Sequence, residues 1–197
     1  MPPPTTPFLL RPIEESDNFD ELTSLLHRAY KRLLDMGLRF LATSQSVEDT
    51  RKRASEGACY VAIAEGCIVG TITYYPPERT SGSPFYERSD VAHFGQFAVE
   101  PSLQQSGVGA ALLSEVERVA QAEGVRELAL DTSEHATHLI AYYTKKGYRF
   151  VEHVRWSERD VLFVGLNVPG SNNNSGRTGA SEAEFRAFDS IDNAPEE

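Results

Sequence analysis

Apolar residues recur along the chain with two different periods, and Gly, Pro and capping residues mark where one gives way to the other. Phe8-Leu9-Leu10-Arg11-Pro12-Ile13 reads as a short strand, which Pro12 confines to a sheet edge or a strand end. Ser16, Asp17 or Asn18 then caps a helix. Its apolar positions Leu22, Leu26, Ala29, Leu33 and Met36 fall at steps of three and four, and Gly37 stops it. Ser46 and Asp49 have capping-box spacing and open a second helix that ends near Gly57. Two strand-like runs, residues 58–64 and 67–75, flank Glu65-Gly66, a tight-hairpin signal. Pro76-Pro77 closes the second run. Residues 76–90 read as a polar loop carrying Phe85 and Tyr86, and a third strand covers about 91–99.

Beyond it, Val108, Leu112, Val116, Val119 and Ala120 form the apolar stripe of a helix ended by Gly124. Residues 127–131 are the next strand. Ala136, Leu139, Ile140 and Tyr143 mark another helix, with Lys145 and Lys146 in its last turn, where cations suit the helix dipole. Residues 148–156 and 160–168 are closing strands. The order β-α-α-β-β-β-α-β-α-β-β predicts one α+β domain over residues 8–168, with a mixed, mostly antiparallel sheet and one βαβ crossover. Residues 1–7 read as a flexible arm and 169–197 as an acidic, disordered tail. The alternative for the tail is a short helix from Ser181 that docks Phe185 and Phe188.

Composition narrows the function. In 197 residues, 40% hydrophobic content is enough for a real core. No apolar run approaches the roughly 20 residues of a membrane span, and the Pro/Thr-rich start lacks a secretion-signal layout. We therefore expect no membrane partner and a cytoplasmic location. Cys59 and Cys67 cannot make a disulfide scaffold or a four-thiolate zinc site, and they read as buried hydrophobes. His135 and His138 lack the partners of a metal set, so no metal is expected. The net charge of −10 argues against a nucleic-acid-binding function and is compatible with amine substrates or with simple solubility. Six carboxylates against two arginines after Pro169 put part of that charge in the tail.

The segment that carries chemistry is Gln104-Gln105-Ser106-Gly107-Val108-Gly109, between a strand and an amphipathic helix. Glycines let backbone N–H groups approach an anion, and the helix start adds unpaired donors and partial positive charge. It lacks the Gly-Lys-Ser/Thr of a nucleotide-hydrolase loop, and Leu112 replaces the third glycine of a dinucleotide fingerprint.

Here the sequence resembles the GNAT N-acetyltransferase superfamily. Gln104, Gly107 and Gly109 match its acyl-CoA motif, Gln/Arg-x-x-Gly-x-Gly/Ala. Phe97-Ala98-Val99-Glu100-Pro101 looks like the family's strand ending in Val-x-Pro, and Tyr142-Tyr143-Thr144-Lys145-Lys146-Gly147-Tyr148 looks like its Tyr-x-x-x-Gly-Phe/Tyr element. Leu10-Arg11-Pro12-Ile13 resembles many members' first strand. The resemblance implies an acyl-CoA N-acyltransferase fold with a V-shaped cleft and acetyl-CoA as cosubstrate. Pantetheine would pair with backbone of Phe97 and Val99, and pyrophosphate would lie on amides of Gln105, Ser106, Gly107, Val108, Gly109 and Ala110, with Gln104 completing the motif. The reaction would be direct acetyl transfer to a primary amine of a small molecule or peptide. Tyr143 falls at the family's general-acid position. His93, six residues before Val99 and so on the same face by strand alternation, resembles the position of a family general base. Glu100 or a group in residues 76–90 is the fallback base. Tyr75, Phe85 and Tyr86 favour an aromatic-bearing or cationic acceptor. Paired subunits are common in the family. The competing functions are a CoA-binding sensor without turnover and an interaction protein acting through its tail.

Overall fold

The computed structural model describes residues 7–156 and 159–167; the proposed arm (residues 1–7, apart from Pro7) and tail lie outside them. Seven strands form one sheet: β1 (Leu9–Pro12), β2 (Ala58–Ala64), β3 (Cys67–Tyr75), β4 (Val91–Val99), β5 (Glu127–Thr132), β6 (Arg149–Trp156) and β7 (Arg159–Asn167). Four α-helices are interleaved: α1 (Phe19–Asp35), α2 (Val47–Ser55), α3 (Val108–Ala122) and α4 (Thr137–Lys145). The sheet order is β1-β2-β3-β4-β5-β7-β6, and every neighbouring pair is antiparallel except β4 and β5. β1 lies at the edge, where Pro12 needs no ladder partner on its outer side.

Local sequence accounts for most boundaries. Asn18 caps α1, its side chain accepting from the Glu21 N–H at 3.1 Å. Ser46 and Asp49 make a reciprocal capping box on α2. Glu65 and Gly66 both have positive φ, at 52° and 81°, as a two-residue hairpin of matching twist requires. α1 buries Leu22, Leu25, Leu26 and Leu33, but Met36 is 45% exposed. The helix ends at Asp35, so Met36 is its C-cap and does not continue the stripe, and Gly37 at φ 79° turns the chain away. Cys59 is buried as expected, whereas Cys67 is exposed because it opens β3 directly after the hairpin turn.

Two cores sandwich the sheet. On one face Ile72, Tyr74 and Phe94 pack with Leu112 and Val116 of α3 and with Tyr143 of α4. On the other, Val61, Ile68 and Ala98 pack with Leu22, Leu25 and Leu26 of α1. The approach of α3 is close: a Cβ on Gly70 would stand 2.8 Å from Leu112 Cδ1 and 2.9 Å from Val108 Cγ1. Phe85 and Tyr86 do not decorate a polar loop. They are 9% and 3% exposed and form a third cluster with Val91 and Ala129, so their apolar surface is spent on the core.

Candidate active site

The parallel pair β4 and β5 stays in register for three residues only, Val91 to Glu127, Ala92 to Leu128 and His93 to Ala129. Both strands run on, but apart, and a cleft of about 1030 Å³ opens between them. β3 covers one edge of β4 along its length, while the other edge lines the cleft from Phe94 to Val99. The Glu100 N–H is bonded to Val69 C=O of β3 at 2.8 Å. By alternation, the backbone groups of Val99 and Phe97 point away from β3, toward the open side. An extended ligand can therefore add itself there as a strand.

A bulge shapes this edge. Thr71 pairs with Ala98 but Thr73 pairs with Gly95, so β4 carries one extra residue. The extra residue is absorbed at Gln96, whose φ is 48°. Phe94, Phe97 and Val99 thus share the α3 face of the sheet. His93 falls on the opposite face, and the parity expected between His93 and Val99 does not hold.

α3 starts against the cleft. Gln105 and Gly107 have positive φ, 65° and 99°, and no side chain caps the helix. The first intrahelical bond runs from the Ala111 N–H to Gly107 C=O at 3.0 Å, which leaves the N–H groups of Val108, Gly109 and Ala110 ahead of the ladder. Gly109 lies where a Cβ would stand 3.4 Å from Val99 Cγ2 and 3.5 Å from Phe97 Cζ. This compact, uncapped, positive helix end suits an anion such as a pyrophosphate. Gln104, Gln105, Gly107, Gly109 and Ala110 line the cleft. Ser106 and Val108 do not: the Ser106 hydroxyl donates to Leu103 C=O at 2.6 Å, and the Val108 side chain is buried beneath β3.

Tyr143 reaches the cleft from α4. Its ring packs on Phe94, Tyr142 and Tyr148, with centroids 6.1, 5.2 and 5.6 Å away. Its hydroxyl has no protein hydrogen-bond partner among the described residues, nor is it sealed in the core. Burial holds the phenol well above its ordinary pKa. Asp131 enters the same cleft from the end of β5, a lone carboxylate after Leu128, Ala129 and Leu130. Water reaches it through the cleft, but the surrounding protein desolvates it and raises its pKa, against the opposing charge of Arg53. Tyr30 of α1 and Arg53 of α2 complete this end of the cleft. Burial pushes the Tyr30 phenol up to about 12.

The structure does not bring His93 to this group. Its ring lies between Tyr75 and Tyr86, at centroid distances of 4.5 and 5.2 Å, and Nδ1 is 2.9 Å from the Thr80 hydroxyl. Burial, and secondarily Arg53, push its pKa down to about 4. Glu100 is engaged by Arg28, with Nη2 to Oε2 at 2.8 Å. Residues 76–90 do not line the cleft. Among the described residues there is no cluster of metal-ligating side chains, and no helix is long and apolar enough to cross a membrane. Asp131 escaped the sequence reading although a single carboxylate ending an apolar strand is a usable signal. Arg53, one of several cations on a polar helix, carried none.

The chain matches the Acetyltransferase (GNAT) family over residues 19–148. It is 31% identical over 144 residues to the S-(2-succino)cysteine N-acetyltransferase of Bacillus subtilis (strain 168), covering 72% of this chain and 82% of that one. The ribosomal-protein-S18-alanine N-acetyltransferase of Escherichia coli superposes with a TM-score of 0.61 at 18% identity, over 86% of this chain and 99% of its own. A GNAT family acetyltransferase from Elizabethkingia anophelis with acetyl-CoA bound gives 0.57 at 19% identity, over 81% and 97%. With its strand splay, open β4 edge and uncapped α3 start, this chain belongs to the GNAT family of N-acetyltransferases.

Proposed function

We propose that the protein transfers an acetyl group from acetyl-CoA to a primary amine of a small molecule, with Asp131 accepting the amine's proton and Tyr143 supplying a proton to the leaving thiolate. The observation that carries this reading is that an unpartnered phenol and the lone carboxylate ending β5 line one cleft, where β4 leaves β5. Acetyl-CoA, when bound, supplies an acetyl thioester open to direct attack by the amine. Phe97 and Val99 would hold its pantetheine through backbone groups, and the N–H groups of Gln105 and of Gly107 to Ala110 would hold its pyrophosphate, the Ser106 N–H being bonded to Leu103 C=O at 3.3 Å. Gly109 places the α3 start beside Val99 and Phe97 of β4, where a Cβ would come into contact with both side chains.

The two titratable groups divide the proton traffic. An amine is mostly protonated near neutral pH and cannot attack until it loses a proton. A carboxylate whose pKa is raised is a better proton acceptor than one at its ordinary value. The Tyr143 phenol, held above its ordinary pKa, stays protonated and ready to donate.

The B. subtilis relative is named for S-(2-succino)cysteine, and that molecule is the first acceptor to try. The experiment is thiol release from acetyl-CoA with S-(2-succino)cysteine and a broad amine panel, run beside the acetyl-CoA-induced thermal shift. Turnover with one amine class supports the reading. A thermal shift with no turnover for any amine would instead support a CoA-binding module.

A further inference from the structure

Arg53 is anchored on one edge and open on the other. Its Nη1 donates to Gln45 Oε1 at 2.6 Å. The same Gln45 amide donates to Thr50 Oγ1 at 2.7 Å and to Gln96 Oε1 at 3.0 Å. Gln45 and Gln96 are both 2% exposed, and Gln96 is the residue at the β4 bulge. The guanidinium is thus tied through a buried amide pair to the strand that forms the cleft. Nη2 lies 3.7 Å from where a Cβ of Gly95 would stand, so the strand leaves room beneath it.

No carboxylate of the described residues comes within 4.0 Å of Arg53. Two other cations of the cleft are paired, Arg28 with Glu100 at 2.8 Å and Lys31 with Asp35 at 2.7 Å; of the unpaired ones, Arg53 is the one tied to the β4 bulge through Gln45. The Arg53 guanidinium thus has a buried polar anchor on one edge and no carboxylate among the described residues closing the other. A planar fork with one free edge matches the two oxygens of a carboxylate, and among the groups of a small amine substrate a carboxylate is the common one of that shape. Asp131 faces the same space and interacts electrostatically with Arg53, yet the two do not close into an ion pair. A cation and an anion are therefore held apart across the floor of one cleft.

We propose that Arg53 receives the α-carboxylate of the acceptor, so that the substrate is a free amino acid rather than a simple amine or a peptide N-terminus. The ammonium then lies toward Asp131 and the carboxylate toward Arg53, and a zwitterion satisfies both groups at once. A peptide or an amino-acid amide has lost the charge that the fork requires. The assignment rests on the N-acetyltransferase reading and on Asp131 as proton acceptor.

The test compares kcat/KM for free L-amino acids, including S-alkyl cysteines, with their α-carboxamides, in wild type, Arg53→Gln and Arg53→Lys. The wild type is expected to prefer the acid of its best pair by at least about tenfold, the scale of a charge-assisted hydrogen bond. In Arg53→Gln that ratio should fall below about threefold, with the loss in the KM of the acid. Arg53→Lys, which keeps the charge but not the fork, should fall between. The acetyl-CoA-induced thermal shift checks that each variant is folded, and Arg53→Lys decides if Arg53→Gln is not. Amides as good as acids in the wild type, or a preference retained without the guanidinium, would overturn the assignment while leaving the transferase intact. Acetylation of neither acids nor amides, beside turnover of another amine, overturns the assignment and leaves the transferase; no turnover of any amine, with the thermal shift present, removes both.

Discussion

His93 stacks on Tyr75 across the β3–β4 ladder, with ring centroids 4.5 Å apart and planes 14° from parallel. The stack, closed on its other side by Tyr86, desolvates the imidazole and lies off the cleft. His93→Phe keeps the stacked ring and loses only the contact with Thr80. We expect it to fold, and to leave the pH profile of kcat/KM within about threefold of wild type at every pH, well under the factor that general-base loss brings. A rising limb that disappears in this variant would return His93 to the mechanism.

Asp131→Asn should behave differently. The raised carboxyl accepts a proton only when ionised, so activity should rise with pH through a group above the ordinary aspartate value of about 3.9. The variant should lose about 10²–10⁴-fold in kcat/KM at neutral pH and recover partly at high pH, where the amine deprotonates in solution. Rate profiles of both proteins with one good amine make the comparison. Superimposable curves would exclude Asp131 as the base.

Tyr143→Phe retains the ring that packs on Phe94 and Tyr148, and the fold should tolerate it. Acetyl-CoA binding should persist while kcat falls by about 10²–10⁴-fold. Steady-state rates beside ligand-induced stabilisation separate the two quantities. A drop of less than about threefold would make Tyr143 a packing residue.

Gly107→Asp and Gly109→Asp place a carboxylate at the uncapped start of α3. At Gly107 the φ of 99° also disfavours any side chain, whereas at Gly109 the new Cβ makes an ordinary contact with Val99 at 3.4 Å and the carboxylate carries the effect. Acetyl-CoA at a hundredfold excess over Kd stabilises its binder by about 2.7 kcal/mol, and both variants should lose that shift while still melting cooperatively. An unchanged shift in both would move the cosubstrate elsewhere.

A stability effect follows from Arg11 and Asp17, paired through two bonds of 2.7 and 2.6 Å. The guanidinium holds the Asp17 carboxyl below its ordinary pKa, so the stabilisation is present above about pH 4 and is lost as pH falls through the lowered native value. Arg11→Ala should cost about 1 kcal/mol at pH 7, a value reduced by solvent screening. Urea unfolding should show the difference from wild type shrinking toward pH 2.

What could be read from the chain alone is what depends on near neighbours. The 3.6-residue stripe of α3, the Ser46–Asp49 box and the Glu65-Gly66 turn each rest on contacts within a few residues, so order and spacing express them directly. The glycines at 107 and 109 were legible for the same reason, because a helix start and its donors are local. Only the tertiary structure decided which side chains share the cleft. One extra residue at Gln96 reversed the face of His93 relative to Val99, and a one-residue slip cannot be counted from a pattern of period two. Asp131 and Tyr143 meet there because β5 parts from β4 after three paired residues, and Arg53 joins them because Gln45 ties α2 to the bulge. Those relationships link segments up to about ninety positions apart, and their energy lies in packing and buried hydrogen bonds that exist only once the sheet has closed on its helices.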